Sequence, residues 1–231
     1  MAVQFPSRMR HLAVVCVFAG TFAGASAACA QEPPAPIPRF VIDLHPTASM
    51  FPNDLQELAD SRGLVLGELP GWGFGAQVGA HMYFFTWKAL TVGLGGEVMV
   101  ARATSSPSAS ATAAAVLAGQ PPLRPVEERL VSASPQLSLN FGTAHGWSYI
   151  SGGIGWSQLS LHPSAEPPGP ADAEVLPTFN YGGGARWFIK PHLAFSFDVR
   201  LYPVRPGSPF GSNPGSPYVP VLTIGAGVSI K

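Results

Sequence analysis

The ten residues LAFSFDVRLY at positions 193–202 decide the fold. Large apolar side chains occupy every second position of this stretch, and Asp198 and Arg200 lie at alternating positions between them. Successive side chains of a β-strand point to opposite faces, so this period of two predicts a strand with one apolar and one polar face. The fold therefore depends on whether Asp198 and Arg200 face water outside the sheet or an enclosed interior.

Seven further segments of the chain show the same alternation. The clear ones are residues 72–85, 90–101, 129–142 and 221–230, and the weaker ones are residues 39–45, 147–160 and 178–189. Together with the first stretch they make an even number of strands, which is typical of single-chain bacterial outer-membrane barrels.

Short and long connections separate these segments in turn. The short ones are near residues 86–88, 142–146 and 190–192, and the long ones are about residues 46–71, 103–128, 162–177 and 203–217. Outer-membrane barrels have short periplasmic turns and longer outer loops. We therefore predict an all-β fold, an eight-stranded antiparallel up-and-down transmembrane β-barrel with both termini on the periplasmic side.

The two faces of the predicted strands differ in size and charge. One face carries large apolar residues, and the other carries many glycines and the polar residues Asp43, His45, Gln77, His81, Glu97, Gln136, Asn140, Asn180, Arg186, Asp198 and Arg200. An eight-stranded lumen is just wide enough for side chains, so rows of Phe, Trp and Leu would crowd it. Charged residues make up only 11% of the chain, against about 25% in a typical soluble domain. These observations favour an apolar face toward lipid and a polar face inside.

Five charged residues on the polar face form the candidate site. Buried ions need partners, because an unpaired ion in a low-dielectric interior costs several kcal/mol. We predict that Asp43, Glu97 and Asp198 pair with Arg186 and Arg200 in the lumen and stabilise the barrel.

The sequence predicts no catalytic residue, cofactor or metal ion. His45 and His81 share the polar face, but nothing places them at metal-ligand spacing. The formal net charge is zero and there is no basic patch, so nucleic acid is not an expected partner.

Residues 1–30 have the pattern of an export signal: a positively charged start, an apolar run and small residues before a cleavage site. Cleavage after Ala27 and cleavage after Ala30 both fit this pattern. The apolar run is short for a membrane anchor, and the residues before Cys29 disfavour a lipoprotein. The predicted division is a signal peptide at 1–30, a Pro-rich periplasmic linker at 31–38 and an outer-membrane barrel at 39–231.

Aromatic residues are grouped near all three short connections. They are Tyr83, Phe84, Phe85, Trp87, Phe141, Trp147, Tyr149, Trp187 and Phe188. Because aromatic side chains favour the membrane–water interface, this grouping predicts a girdle on the periplasmic side.

The layout of residues 39–231 resembles the outer-membrane β-barrel family of the OmpA-type transmembrane domain. The resemblance also rests on GGGARWF at 182–188 and on the run from Pro191 to Tyr202. The last strand is similar to the family's assembly signal, although the chain ends in Ile230-Lys231 rather than an aromatic residue. The resemblance implies two partners, which are outer-membrane lipid and, through the last strand, the barrel-insertion machinery.

The leading functional interpretation is a non-enzymatic outer-membrane protein with a structural or surface-interaction role, in which the outer loops carry any binding. One alternative is a lipid-modifying barrel enzyme of the lipid A deacylase type, suggested by His162, Ser164 and the nearby Glu166. A second alternative is a soluble periplasmic ligand-binding barrel. A wide diffusion pore is disfavoured, because eight strands enclose too little space.

Three further expectations concern local structure. Residues 53–56 predict the start of a short helix that ends near Ser61. The low-complexity stretch 105–119 is expected to be mobile. Pro135 and Pro220 lack an N–H group for the strand ladder, so bulges or strand ends are expected at both.

Overall fold

A computed structural model of the chain describes residues 35–208 and 215–231. The predicted signal peptide at 1–30 and the first part of the predicted linker lie outside the described residues.

Eight antiparallel strands form a closed barrel in which each strand pairs with its neighbours in the sequence and β8 pairs with β1. The strands are β1 (Phe40–Met50), β2 (Trp72–Trp87), β3 (Leu90–Ser105), β4 (Val126–Thr143), β5 (Gly146–Pro163), β6 (Leu176–Lys190), β7 (Leu193–Val204) and β8 (Val219–Ile230). The predicted fold class and strand number are confirmed. Some strands extend further toward the long loops than the sequence predicted. Strand β1 continues to Met50, and β4 already begins at Val126.

The three short connections are two-residue turns at residues 88–89, 144–145 and 191–192. Lys88 has a positive φ of 54° in the first of them. The strand register shifts just before two of these turns, so that Phe84 in β2 and Ile189 in β6 are extra residues on bulges. We call this the inner end of the barrel, and the end that carries the long loops the outer end.

Two helices lie in the outer loops, α1 (Gln56–Ser61) and α2 (Ala109–Leu117). Helix α1 confirms the helix predicted there, but its N-cap is Leu55 and no side chain caps it. Helix α2 lies within the low-complexity stretch 105–119, for which no helix was predicted. The alanine-rich stretch has high helix propensity, and Ser108 caps α2 by accepting a hydrogen bond from the Ala111 N–H at 3.2 Å. Neither helix is long and apolar enough to cross a membrane.

Single 3₁₀ turns occur at Leu66–Glu68 and Pro170–Ala173. Pro220 is the second residue of β8, which confirms the strand end expected there. Pro135 instead lies inside β4, opposite Gly96, with no shift of register. The expected bulge is wrong there, because β4 keeps the same register with β5 on both sides of Pro135.

The polarity of the barrel is inverted relative to a soluble protein. Asp198 and Arg200 are each 1% exposed, whereas Phe195 and Leu94 are 49% and 57% exposed. All eleven polar-face residues predicted from the sequence are buried. The alternation in 193–202 therefore places charge inside and apolar groups outside.

The predicted aromatic girdle is confirmed for only part of its residues. Those that face outward are Phe84, Phe85, Trp87, Phe141 and Trp187. Tyr83, Trp147 and Tyr149 are buried in the interior and Phe188 stacks on Trp147, which corrects the prediction for these four. The reason is strand geometry, because neighbouring residues of a regular strand point to opposite faces. Phe84 and Phe85 both face outward because Phe84 is the extra residue of the β2 bulge.

The outward-facing residues form a continuous band, which we call the apolar belt. On β3 its outward positions run from Leu90 to Val100, and on β4 they run from Val131 to Phe141. Both runs match the roughly 9–11 residues that a tilted strand needs to cross a bilayer.

Replacing Leu94 with Arg tests the exposure of the apolar belt to lipid. Leu94 lies opposite Met82 and Leu137, which are also exposed. We expect the free energy of unfolding in liposomes to fall by about 2–4 kcal/mol, as for a cation placed near the bilayer midplane. Thr104→Arg is the matched control, because Thr104 faces outward on the same strand beyond the belt. Equal stability of the two variants would contradict this interpretation.

Candidate functional site in the barrel interior

Three layers of side chains fill the interior from the inner to the outer end. We call the layer at the inner end the inner cap, and its residues are Ile37, Val41, Tyr83, Trp147 and Phe188. The middle layer is the polar network, centred on Asp43, Glu97, Arg186, Asp198 and Arg200. The layer at the outer end is the outer plug, an apolar cluster that includes Phe51, Leu58, Leu64, Met99, Leu130, Leu161 and Val221.

The first part of the polar network is a two-armed ion pair across the lumen. Arg186 on β6 donates from Nε and Nη2 to the two carboxylate oxygens of Asp43 on β1, at 2.8 and 2.6 Å. Strands β1 and β6 are not neighbours in the barrel, so the pair spans the interior. Ser229 donates a further hydrogen bond to Asp43. Two parallel charge-assisted hydrogen bonds are among the strongest polar contacts in proteins.

The second part of the network surrounds the Arg200 guanidinium. Arg200 lies 3.1 Å from Glu97 Oε2 and 3.1 Å from Asp198 Oδ2. Its remaining N–H groups donate to Asn180 Oδ1 at 3.1 Å and Ser151 Oγ at 2.8 Å. Every guanidinium nitrogen of this buried cation therefore has a partner.

Two tyrosines extend the network. The Tyr202 hydroxyl donates to Glu97 Oε1, and the Tyr149 hydroxyl donates to Asp198 Oδ2 at 2.8 Å. The Arg186 guanidinium lies 4.0 Å from the centre of the Tyr149 ring, so Tyr149 connects the two ion clusters. Gly184 permits this contact, because a Cβ there would lie 2.8 Å from the Tyr149 hydroxyl.

The structure thus places all five predicted site residues inside the barrel, as one pair and one triad. Tyr149 is a further site residue that the sequence pattern did not identify, because its position near a short turn suggested the aromatic girdle. The alternation in β5 could have identified it. Tyr149 lies two residues before Ser151, so both side chains point to the same, inward face.

Each of the two interior histidines lies near one polar side chain. His45 Nε2 lies 2.7 Å from Ser196 Oγ, and His81 Nδ1 lies 3.8 Å from Asp43 Oδ2. Within residues 35–208 and 215–231, no group of three His, Cys, Asp or Glu side chains is arranged to hold a metal ion.

The residues that suggested a deacylase form their hydrogen bonds with other partners. His162 Nδ1 lies 3.0 Å from the carbonyl oxygen of its neighbour Pro163. Glu166 accepts a hydrogen bond from Arg124, and Ser164 is exposed. In the described part of the chain, no hydrogen bond joins His162 to Ser164 or to Glu166.

The outer plug is formed by the first outer loop together with the inward-facing residues of the outer strand ends. Leu58 and Leu64 of that loop pack against Met99 and Leu130 of the wall. The outer half of the lumen is therefore mostly apolar, although Glu128 of β4 is also buried at this end. The sequence pattern instead predicted an interior of glycines and polar side chains.

Two ion pairs tie the first outer loop to the other loops. Arg62 lies 3.4 Å from Asp172 of the third loop, and both side chains are buried. Glu68 accepts from Arg124 Nε of the second loop at 3.1 Å. Burial lowers the pKa of Arg62, and Asp172 opposes that effect. Burial raises the pKa of Glu68, but hydrogen bonds from Arg124 and from the Val65 N–H outweigh it and hold the pKa below its ordinary value.

Truncation of Arg200 tests the stabilising role of the polar network. Arg200→Ala leaves Glu97 and Asp198 buried without their cation, which costs about 3–5 kcal/mol for a broken buried ion pair. We expect a lower unfolding temperature in detergent micelles. Arg205→Ala is the control, because Arg205 is exposed on an outer loop. An unchanged unfolding temperature for Arg200→Ala would argue against the network.

Acid should loosen the first outer loop. Because the pKa of Glu68 is lowered in the folded chain, its ionised form adds stability above the ordinary glutamate pKa of about 4.3, and that stability is lost as the pH falls through the lower folded value. We expect the hydrogen-exchange protection factors of residues 62–69, which compare each rate with that of the unstructured chain at the same pH, to fall between pH 6 and pH 3. Glu68→Gln should show a smaller change, and the exposed Glu57→Gln should behave like the wild type. An equal fall in Glu68→Gln and the wild type would refute the assignment.

Comparison with known proteins gives matches only among solved structures. No family model and no curated protein sequence matches the chain. Neisserial surface protein A is 12% identical with a TM-score of 0.52, and the match covers 83% of this chain and 96% of that one. Ail, the attachment invasion locus protein of Yersinia pestis, is 11% identical with a TM-score of 0.47, and the match covers 84% and 98%.

At this level of identity, the likeness to Neisserial surface protein A concerns the fold alone. The closed barrel, its alternating short turns and long loops and its inverted polarity agree with that likeness. The chain has the fold of the eight-stranded outer-membrane β-barrels.

Proposed function

We propose that the chain is a non-enzymatic outer-membrane protein with a structural or surface-interaction role, whose outer loops carry its contacts. The observation that carries this proposal is that packed side chains fill the lumen, and that ion pairs connect the outer loops above it. Such a molecule offers its outer surface for function rather than a passage through its centre.

The proposed location rests on the outer wall. Apolar residues cover the outward face over the height of a bilayer, and residues such as Phe74 and Met82 are 75% and 65% exposed. Monomeric soluble proteins rarely expose apolar patches of this extent. The export signal predicted at residues 1–30 supports the same location, and a soluble periplasmic barrel is disfavoured because its apolar rows would have to face inward.

The interior supports a role that does not depend on a pore. The polar network lies between the inner cap and the outer plug, and its charged groups are bound to one another. An ion that entered this layer would have to displace Arg186 or Arg200 from its carboxylates. Eight strands leave no room for it to pass beside them.

The outer loops support a surface role because they form one connected platform. Arg62 joins the first loop to Asp172 of the third and, through the Gly207 carbonyl, to the fourth. Arg124 joins the second loop to Glu68 of the first and Glu166 of the third. Binding surfaces on loops gain precision when a rigid scaffold holds them.

Cell fractionation and gel migration test the proposed location. We expect the full chain in the outer-membrane fraction, with faster migration of the unheated than of the heated sample, since the closed barrel stays folded in detergent until heated. The triple replacement of Phe195, Ile224 and Val228 by Ser is the matched variant, because it removes outward apolar side chains, and it should reduce the membrane-bound fraction. A wild-type chain found in the soluble periplasmic fraction would refute the proposal.

Planar-bilayer recordings test the closed interior. The wild-type chain should show no large, stable conductance, because all three interior layers are packed. A variant in which Gly-Ser replaces residues 55–66 removes α1 and part of the outer plug, and the polar network should still block conduction. Large stable channels formed by the wild type would contradict a filled lumen.

A further inference from the structure

Two arginines face each other on the outside of the barrel wall. Arg102 on β3 lies directly opposite Arg129 on β4 in the strand register, and both side chains point outward and are exposed. Directly opposed residues have Cβ atoms only about 4.5–5.5 Å apart, and like charges at that distance are destabilising. An anion held between the two guanidinium groups would relieve this repulsion.

The position of the pair relative to the apolar belt indicates the source of that anion. Arg102 follows Val100 on the outward face of β3, and Arg129 precedes Val131 on that of β4. The two arginines thus occupy the first outward positions beyond the belt, at its outer end. This is the level of lipid headgroups in the outer leaflet, whereas acyl chains lie against the belt beneath it.

The surroundings of Arg129 offer further hydrogen-bond donors. Arg129 lies opposite Ser160 on β5, and a cavity of about 330 Å³ beside it is lined by Gln158, Ser160 and His162. In residues 35–208 and 215–231, the Arg129 guanidinium has no hydrogen-bond or ion-pair partner.

Two carboxylates border the site, and both are occupied. Glu127 binds Arg102 at 2.6 Å and so competes with an anion for that arginine. Asp172 accepts from the backbone N–H groups of Leu161 and Gly169 and lies 3.4 Å from Arg62. The formal charges of Arg102, Arg129 and Glu127 sum to one net positive charge.

We propose that Arg102 and Arg129 form a binding site for the phosphate headgroup of an outer-leaflet lipid. The planar guanidinium donates two parallel hydrogen bonds to phosphate oxygens, and two opposed guanidiniums clamp one phosphate. Ser160 donates from the side, and the acyl chains extend along Val131 and Ala133. The proposal rests on the proposed outer-membrane location.

The test uses the purified full chain, folded in detergent micelles, with bisphosphorylated lipid A as the probe and native mass spectrometry as the readout. Because binding is measured on the isolated chain, its failure is distinguishable from a failure of the cell-fractionation test. Heat-modifiable migration verifies that each variant is folded.

We expect the double variant Arg102→Gln/Arg129→Gln to bind lipid A at least about tenfold more weakly, equivalent to about 1.4 kcal/mol. Glu127→Gln should bind more tightly, because Arg102 is then free of its internal carboxylate. Arg39→Gln, which removes an exposed arginine at the inner end, should match the wild type. Affinity should fall as salt rises from 50 to 500 mM.

Three results would overturn the proposal. The first is equal affinity of the double variant and the wild type, and the second is equally tight binding of lipid A from which both phosphates have been removed. The third is displacement of lipid A by inorganic phosphate at a similar concentration, which would identify a site for the free ion rather than for a lipid.

Discussion

The enclosure of charge inside a narrow barrel is the constraint on which the structure depends. Once Asp198 and Arg200 face inward, an eight-stranded lumen offers them almost no water, so each ion must find a partner among the other inward residues. The chain meets this requirement with the Asp43–Arg186 pair and the Glu97–Arg200–Asp198 triad. The Asp43–Arg186 and Glu97–Arg200 contacts join strands that are not neighbours in the barrel, so they connect opposite parts of the wall.

The rest of the interior protects this layer. The inner cap closes one end with Trp147 stacked on Phe188, with ring centres 5.1 Å apart. The outer plug closes the other end with apolar side chains from the first loop. Both layers keep bulk water from the ion clusters, and a low dielectric strengthens the hydrogen bonds within them. With the interior closed in this way, the proposed function falls to the loops and to the outer rim of the wall.

Much of this architecture was predictable from the sequence because strand periodicity is a local property. The alternation in 193–202 assigns each residue to a face, and it does so without knowledge of the neighbouring strands. The set of charged residues that must pair follows from the same pattern. Which carboxylate meets which arginine does not follow from it, because Asp43 and Arg186 lie far apart in the sequence and meet only across the closed lumen.

The failures of prediction have related causes. The aromatic residues at strand ends were assigned as a group, although Tyr83 and Phe84 face opposite ways. The outer plug was missed because the partners of Leu58 and Leu64 lie on distant strands. Helix α2 was not predicted because residues 105–119 were interpreted by their low complexity. The high helix propensity of alanine and the N-cap residue Ser108 were the features that indicate the helix.

The most direct test of the inside-out polarity is the accessibility of spin labels to lipid. Both cysteines of the chain, Cys16 and Cys29, lie in the predicted signal peptide, so single labels at Phe195→Cys and Ser196→Cys can be compared in liposomes. The account predicts that the label at position 195 collides with a lipid-dissolved relaxation agent and that its neighbour at position 196 does not. The reverse pattern, with position 196 in contact with lipid and position 195 shielded, would contradict it.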